Sequence, residues 1–396
     1  MTATKVIVKR REYSDSVRLM QISEKLRGLE GVSEAILMMA TDNNKRLLES
    51  AGFLKGDASA AGANDLVIAI RGDSVATLDT AVDQAEMLLR DRVASADQQE
   101  YRTLDSAFNA LPGANIALIS VPGEYAASEA RRALERGLHV MLFSDNVPVG
   151  DEVALKRYGV ERNLLVMGPD CGTAIINGIG LAFANVIRRG PIGLVGASGT
   201  GIQEISVLVH RMGSGISQAI GTGGRDLKAE VGGLTMLHGI DLLDADADTQ
   251  VIIVTSKPPA PQVARRVLER LARCSKPVVV NFLGGEPDLS VQNVAWAHTL
   301  EETAAAAVGL SGLKSGVPGG ALEYAKLDEQ ARMLAAQLAP GQKYVRGLFT
   351  GGTLGYEALL VLRDVVGDVH SNIPLRPDLR LADAWKSEGH SLVDLG

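Results

Sequence analysis

The sequence predicts a multi-domain α/β protein. The chain has 396 residues, too many for one ordinary core. Short apolar runs recur along it, and most lead through a turn into a segment of helical periodicity. Composition agrees: 46% hydrophobic, 22% charged and 43 glycines fit compact α/β domains rather than coiled coil or disorder.

The first such unit spans residues 1–95 and reads as a small α/β domain. KVIVKR is strand-like. SDSVRLMQISEKLRGL opens on a capping residue and places Val17, Met20, Ile22 and Leu26 in helical register. SEAILMMA is a strand, and TDNNK caps a helix through Thr41 or Asp42. DLVIAIRG is a third strand. The helix after it sets Val75, Leu78, Val82, Ala85 and Leu89 on one face. Residues 94–113 are polar and weakly periodic, which reads as a linker.

A second unit covers 114–188, with strands in NIALIS, LHVMLF and LLVMGPDCGTAII. A third covers 190–310, with strands IGLVG, ISQAIG, QVIIVTS and KPVVVNFLGG. Apolar strands alternating with helices imply parallel sheets covered on both faces, with ligands at the carboxyl ends of the strands. VPGEY, SDNVP and GPDCGT then share the rim of the second unit, and ASGTG, TGGRD, SKPPA and GGEPD that of the third. Residues 311–320 read as a flexible linker. A fourth unit, 321–396, repeats strand, glycine turn and helix in YVRGLFTGGTLGYEALLVLRDVVG, and is expected to be incomplete.

Several function classes are disfavoured. With 40 Lys and Arg against 47 Asp and Glu the net charge is −7, and no basic run offers a nucleic-acid footprint. Six Phe and two Trp supply few base-stacking platforms. The two cysteines, Cys171 and Cys274, form neither a disulfide framework nor a metal spacing, so a reducing cytoplasm is the expected home. MTATKVIVKRREYSD lacks a continuous apolar stretch of the signal-peptide kind. From Asn163 to Ile187 the only charge is Asp170, yet Pro169 and four glycines make a strand and loop a better reading than a membrane span. No metal, nucleic-acid or membrane partner is expected.

GPIGLVGASGTGIQEIS, residues 190–206, carries the chemistry. A helix N-terminus has free N–H groups and a partial positive charge, and glycine lets an anion approach them. Ser198, Gly199, Thr200 and Gly201 are the candidate phosphate ligands. The nucleotide P-loop would need Lys at position 202, which is Ile, and a hydrolase nucleophile elbow would need Gly at 200, which is Thr. A tight turn with no ligand is the alternative. Gly351, Gly352 and Thr353 repeat the pattern, so two such loops could face each other and share one anion. Arg225 and Lys257, on rim loops, are candidate neutralisers of that anion; solvated surface cations are the alternative. Cys171 is read either as a reactive thiol or as a buried structural residue. Asp241, Asp244, Asp246 and Asp248 read as a solvated turn rather than a calcium loop.

GPDCGTAII, GASGTGIQE and GTGGRD, in that order, resemble loops of the succinyl-CoA synthetase α-subunit, over roughly residues 115–290. The resemblance implies a CoA-binding-type Rossmann domain followed by a flavodoxin-like ligase domain. It also implies CoA as a possible ligand at Pro122, Gly168, Pro169, Asp170 and Cys171. In that family the SGT loop begins one of two helices that face a shared phosphate. GGTLGYE looks like the partner loop, here on the same chain and at the start of a second ligase-type domain. Two features depart from the family. Its phosphorylated histidine lies in a GHAGA-type segment, absent here, with His298 the one histidine nearby. Its supporting glutamate falls on Lys257, which suits a free anion rather than a histidinium.

The N-terminal domain, the fused ligase halves and the missing histidine together resemble the FdrA family of acyl-CoA-synthetase-like proteins. That resemblance implies a subunit of an oxamate carbamoyltransferase of ureide (allantoin) catabolism, working with partner subunits in an oligomer. The reaction interconverts oxalurate plus phosphate with oxamate plus carbamoyl phosphate. The expected ligand is a small anion, phosphate or carbamoyl phosphate. An ADP-forming acyl-CoA ligase subunit is one alternative, and a non-catalytic CoA- or metabolite-binding scaffold is another.

Overall fold

A computed structural model describes residues 3–10, 12, 14, 16–90, 101, 103–285, 291, 293–313 and 321–396. The chain separates into two compact units, Met1–Glu100 and Tyr101–Gly396.

In the first unit the order is β1 (Ala3–Lys9), α1 (Ser16–Arg27), β2 (Val32–Met39), α2 (Asp42–Ser50), β3 (Leu66–Gly72) and α3 (Val75–Arg90). The sheet runs β1-β3-β2, antiparallel throughout. Its central strand, LVIAIRG, is apolar on both faces because both are covered. Leu66, Ile68 and Ile70 pack with Leu19, Ile22 and Leu26 of α1 and Leu78 and Ala81 of α3. Val67 and Ala69 point the other way, onto Leu48 and Phe53. Thr41 is the cap of α2, accepting from Asn44 N–H. Two register expectations need correction. Met20 is 59% exposed and Val75 66%, and Leu19 takes the core position on α1 that Met20 was expected to hold. Leu78, Val82 and Ala85 are buried as expected, and the side chain of Val17 lies outside the described residues.

The second unit begins with a second correction. Within the expected linker, Leu104–Ala110 forms a helix, α4. Thr103 and Ser106 cap it reciprocally, and Leu104 and Phe108, four residues apart, pack on the neighbouring core. Asp105 pairs with Arg132 and Arg136. Then follow β4 (Ile116–Ile119), α5 (Gly123–Glu135), β5 (His139–Leu142), α6 (Val149–Glu161) and β6 (Val166–Met167), a parallel sheet in the order β4-β5-β6.

The chain then leaves that sheet at Gly168-Pro169-Asp170, with Asp170 at φ 58°. The segment expected as one strand is thereby divided. Val166–Met167 stays, but β7 (Thr173–Ile176) joins the next sheet, antiparallel to its edge. Asn177 and Gly178, both at positive φ, turn it back into β8 (Ile179–Ala182).

That sheet is built on β9 (Arg189–Gly196), α7 (Gly199–Arg211), β10 (Ile216–Gly221), α8 (Leu234–Ala245), β11 (Val251–Ser256), α9 (Pro261–Leu271), β12 (Val278–Phe282), β13 (Val294–Trp296) and α10 (Leu300–Leu310). Its order is β13-β12-β11-β9-β10-β7-β8, parallel from β10 to β13. Numbered along the chain, the five parallel strands run 2-1-3-4-5, the flavodoxin-like order. The direction of winding reverses between β9 and β11, and the loops at their carboxyl ends are ASGTG and SKPPA. After α11 (Ala321–Ala335) come β14 (Arg346–Phe349), α12 (Gly352–Val366), β15 (Val369–Ser371) and β16 (His390–Asp394), a parallel sheet ordered β14-β16-β15.

A buried ionic cluster joins the β4-β5-β6 layer to the larger sheet. Lys156 on α6 is 1% exposed; its Nζ lies 2.8 Å from Glu152 and 2.8 Å from Asp226, and donates to Thr222 O at 2.9 Å. Asp226 also accepts N–H bonds from Thr235 (3.2 Å) and Met236 (2.8 Å), capping α8, whose own N-cap Gly233 has no side chain to do so. Removing the cation leaves Asp226 without its ion partner and Glu152 with Arg225 alone, and breaking a buried pair typically costs about 3–5 kcal/mol. Lys156→Met is therefore expected to shift the urea midpoint of this unit strongly downward, while Lys228→Met, an exposed lysine on the same side, moves it little.

Candidate functional site

The two glycine loops meet. Ser198 caps α7, its Oγ accepting from Gly201 N–H at 2.9 Å, and the same Oγ hydrogen-bonds Thr353 Oγ1 on α12. Both hydroxyls are buried, Ser198 9% and Thr353 2% exposed. Thr200 packs against Gly351: a Cβ on Gly351 would sit 2.8 Å from Thr200 Cγ2, so only glycine lets the helices approach this closely. A Cβ on Gly352 would stand 2.6 Å from Lys257 Nζ and 2.7 Å from Asp394 Oδ2. Lys257 Nζ and Asp394 Oδ2 therefore lie against the first turn of α12. Gly351, the N-cap of α12, offers no side chain to the first N–H groups. Glu357 holds the junction further along, accepting Leu300 N–H at 2.7 Å.

Lys257 follows β11 and Ser198 follows β9, so both stand at the point where the winding reverses. Partial burial pulls the Lys257 amine below the usual lysine range, and Lys228 acts in the same sense, while Asp394 and Asp170 oppose. Asp170 reaches the same field from the neighbouring rim. Its carboxyl is pushed up by burial and by Asp145, against Arg225 and Lys257. Arg225, however, is not a free cation. Its Nη2 lies 2.9 Å from the buried Glu152 and donates to Val147 O at 2.8 Å. An anion there competes with an internal ion pair.

Of the rim residues expected for CoA, Pro122 is the exposed N-cap of α5, and Gly168 and Pro169 are buried in the turn that leaves β6. Cys171 needs correction as a rim contact. It is 2% exposed, its Sγ is turned to Gly221 O, and burial pushes its thiol up to about 12. The rim that remains carries Asp145 and Asp170, with Arg225 committed to Glu152. His298 is exposed just before Thr299, the N-cap of α10, and its backbone N–H donates to Glu302 at 2.8 Å. The four aspartates of the acidic stretch are tied up: Asp241 and Asp244 pair with Arg270, Asp248 with Arg189, and Asp246 accepts from Thr249. Glu286, Pro287 and Asp288 of the GGEPD loop lie outside the described residues.

Asp394 and the Glu152–Lys156–Asp226 cluster escape sequence reading. Asp394 carried a signal, an acidic residue closing the apolar run SLVD at a strand end.

The fold and this site together define an acyl-CoA-ligase-like α/β protein. Residues 188–284 match the family described as CoA binding domain, which places that match on the unit bearing the SGTG loop rather than on 114–188. Residues 1–104 match the family described as AllF, heavy metal-associated domain. That stretch contains neither cysteine nor histidine, so it lacks the thiolate and imidazole ligands that suit soft metals. The chain is 47% identical over 397 residues, all of its length and 76% of the relative's, to the uncharacterized protein YahF of Escherichia coli (strain K12). It belongs to that family, the FdrA-type acyl-CoA-synthetase-like proteins. It is also 33% identical over 148 residues to the α-subunit of the ADP-forming succinate–CoA ligase of Aquifex aeolicus (strain VF5), covering 36% of this chain and 47% of that one. Among solved structures, ATP citrate lyase from Methanothrix soehngenii in complex with citrate and coenzyme A aligns with a TM-score of 0.42 and 20% identity, over 60% of this chain and 41% of that one.

Among the described residues no helix is long and apolar enough to cross a membrane. With Cys171 and Cys274 both buried, native protein is expected to show almost no fast reaction with a thiol reagent at pH 8, and to release two equivalents only on unfolding.

Proposed function

We propose that the paired loops bind the phosphate of a carbamoyl phosphate, and that the chain is the FdrA-type subunit of a carbamoyl-transferring complex, with oxalurate, phosphate, oxamate and carbamoyl phosphate as the reactants. One observation carries this reading: two helix N-termini converge through Ser198 and Thr353 beside Lys257 at the winding reversal. Two such ends and an ammonium form a cradle for one small dianion. A nucleoside triphosphate would need the P-loop lysine, and position 202 is Ile.

In the forward direction a phosphate oxygen attacks the carbamoyl carbon of oxalurate. The new O–C bond forms, the C–N bond to the oxamate nitrogen breaks, and the proton of hydrogen phosphate passes to that nitrogen. The residues at hand hold and neutralise. Backbone N–H groups at 199–200 and 352–353 orient the phosphate, and Lys257 offsets its charge. No covalent nucleophile is invoked, and no step runs through CoA.

The succinate–CoA ligase likeness favours an acyl-CoA ligase subunit as the second reading. Such a ligase works through a phosphorylated residue, and His298 is the candidate. In either reading the protein acts with partner subunits in an oligomer, in the cytoplasm.

Calorimetry on Thr200→Asp tests the cradle, and labelled ATP separates the two readings. The new carboxylate lies where the anion sits, at a helix position that tolerates it. Phosphate and carbamoyl phosphate are expected to lose at least ~10-fold in affinity with the fold intact, about 1.4 kcal/mol. Phosphate affinity that survives this change, or labelled phosphate from ATP retained on His298, would refute the carbamoyl reading.

A further inference from the structure

The cradle holds a carboxylate that phosphate binding alone does not explain. Asp394 closes β16, beside β14 and one strand-end away from α12. Its backbone is pinned on both sides by Asn372, which accepts Asp394 N–H at 2.9 Å and donates to Asp394 O at 2.7 Å. Its Oδ1 accepts Gly396 N–H at 3.2 Å. Oδ2 lies beside Gly352, at the point where Lys257 Nζ also arrives. Asp394 offsets the charge of Lys257, but toward a dianion a fixed negative charge at that place is repulsive by Coulomb's law.

The carboxylate makes sense if the ligand brings N–H donors as well as phosphate. Carbamoyl phosphate does: its NH2 group carries two hydrogens, and a carboxylate only accepts. Acetyl phosphate presents a methyl there. An acceptor built to meet an N–H is left unpaired by the methyl analogue, a stronger basis for discrimination than shape. Resting on the carbamoyl reading of the site, we infer that Asp394 is its specificity-determining residue, accepting from the carbamoyl NH2 through Oδ2, while Lys257 and the two helix N-termini hold the phosphate. Asp394 thereby selects amide-bearing acyl phosphates over alkyl-bearing ones.

Stable probes make the test clean. Phosphonoacetamide carries the NH2 group, 2-oxopropylphosphonate has a methyl in its place, and inorganic phosphate reports the cradle alone. The full chain and the Asp394→Ala and Asp394→Asn variants are titrated with each by calorimetry, with circular dichroism confirming the fold. The native chain is expected to prefer the amide over the ketone by ~10-fold or more. Asp394→Ala should bring that ratio within ~2-fold while phosphate binds as well or better, since a repelling charge is gone. Asp394→Asn, which still offers an acceptor oxygen, should recover part of the ratio. A ratio unchanged in Asp394→Ala, with phosphate still bound, overturns the role of Asp394 and leaves the phosphate cradle standing. Failure of all three probes to bind the native chain overturns both.

Discussion

The packing of the β4-β5-β6 layer on the larger sheet depends on the burial of one lysine. Lys156 lies fully inside the protein, and a charge there persists only if it is paired and hydrogen-bonded. Glu152, one turn earlier on the same helix, supplies one partner, and Asp226, from the loop after β10, supplies the other. Neither helix α6 nor that loop can shift without leaving a buried ion uncompensated. The consequence reaches the rim. Asp226 caps α8, so the cluster also sets where the helix behind β9 and β10 begins. Glu152 holds Arg225 through its second oxygen, and so one of the two cations expected to neutralise substrate works to fix the layers instead. Buried ion pairs are weak evidence for stability, but they specify geometry when one partner alone cannot be tolerated.

With the layers fixed, the charges along the shared rim fall into order. Two helix N-termini brought face to face repel, each carrying roughly half a positive charge, and Lys257 adds a full one. Among the described residues, Asp394 and Asp170 are the carboxylates that stabilise Lys257. They are contributed by different sheets, one by the strand end beside α12 and one by the turn leaving β6. The hydroxyl contact between Ser198 and Thr353 closes the seam without adding charge. The result is a seam where both signs of charge stand beside glycine backbone.

Much of this was legible in the sequence, and the illegible part has a common cause. Strand–turn–helix units announce themselves because apolar periodicity and glycine turns are local properties; ASGTG and FTGGT could be placed on helix starts from spacing alone. Which face of a helix turns inward is less local. Met20 and Leu19 are adjacent and both apolar, and only the packing of α1 against β3 and α3 decides that Leu19 enters. The segment LLVMGPDCGTAII carries an uninterrupted apolar signal, yet its halves belong to different sheets, because Gly168-Pro169-Asp170 redirects the chain. The short helix at 104–110 was hidden by polar surroundings, although Thr103 and Ser106 were there to be read as a cap. Arg225 and Lys257 looked alike in the sequence, cations in rim loops. Their difference comes from Glu152, 73 positions from Arg225 and more than a hundred from Lys257, and no pattern along the chain predicts that pairing.

The exchange of charge at Lys257 is the deepest of these constraints. In the ligase family that the sequence resembles, a carboxylate at the matching place supports a histidine that carries phosphate. A lysine there cannot support a histidinium, since like charges at close range disfavour the protonated form. It does support a dianion that is free to leave. The segment that would present the histidine is different as well, and His298 sits at a helix start with its backbone committed to Glu302. A phosphate bound by backbone N–H groups and one ammonium is held by electrostatics and released without bond cleavage. In the carbamoyl reading proposed above phosphate itself is the nucleophile, and a cradle of glycine, serine and threonine beside one ammonium is consistent with that role.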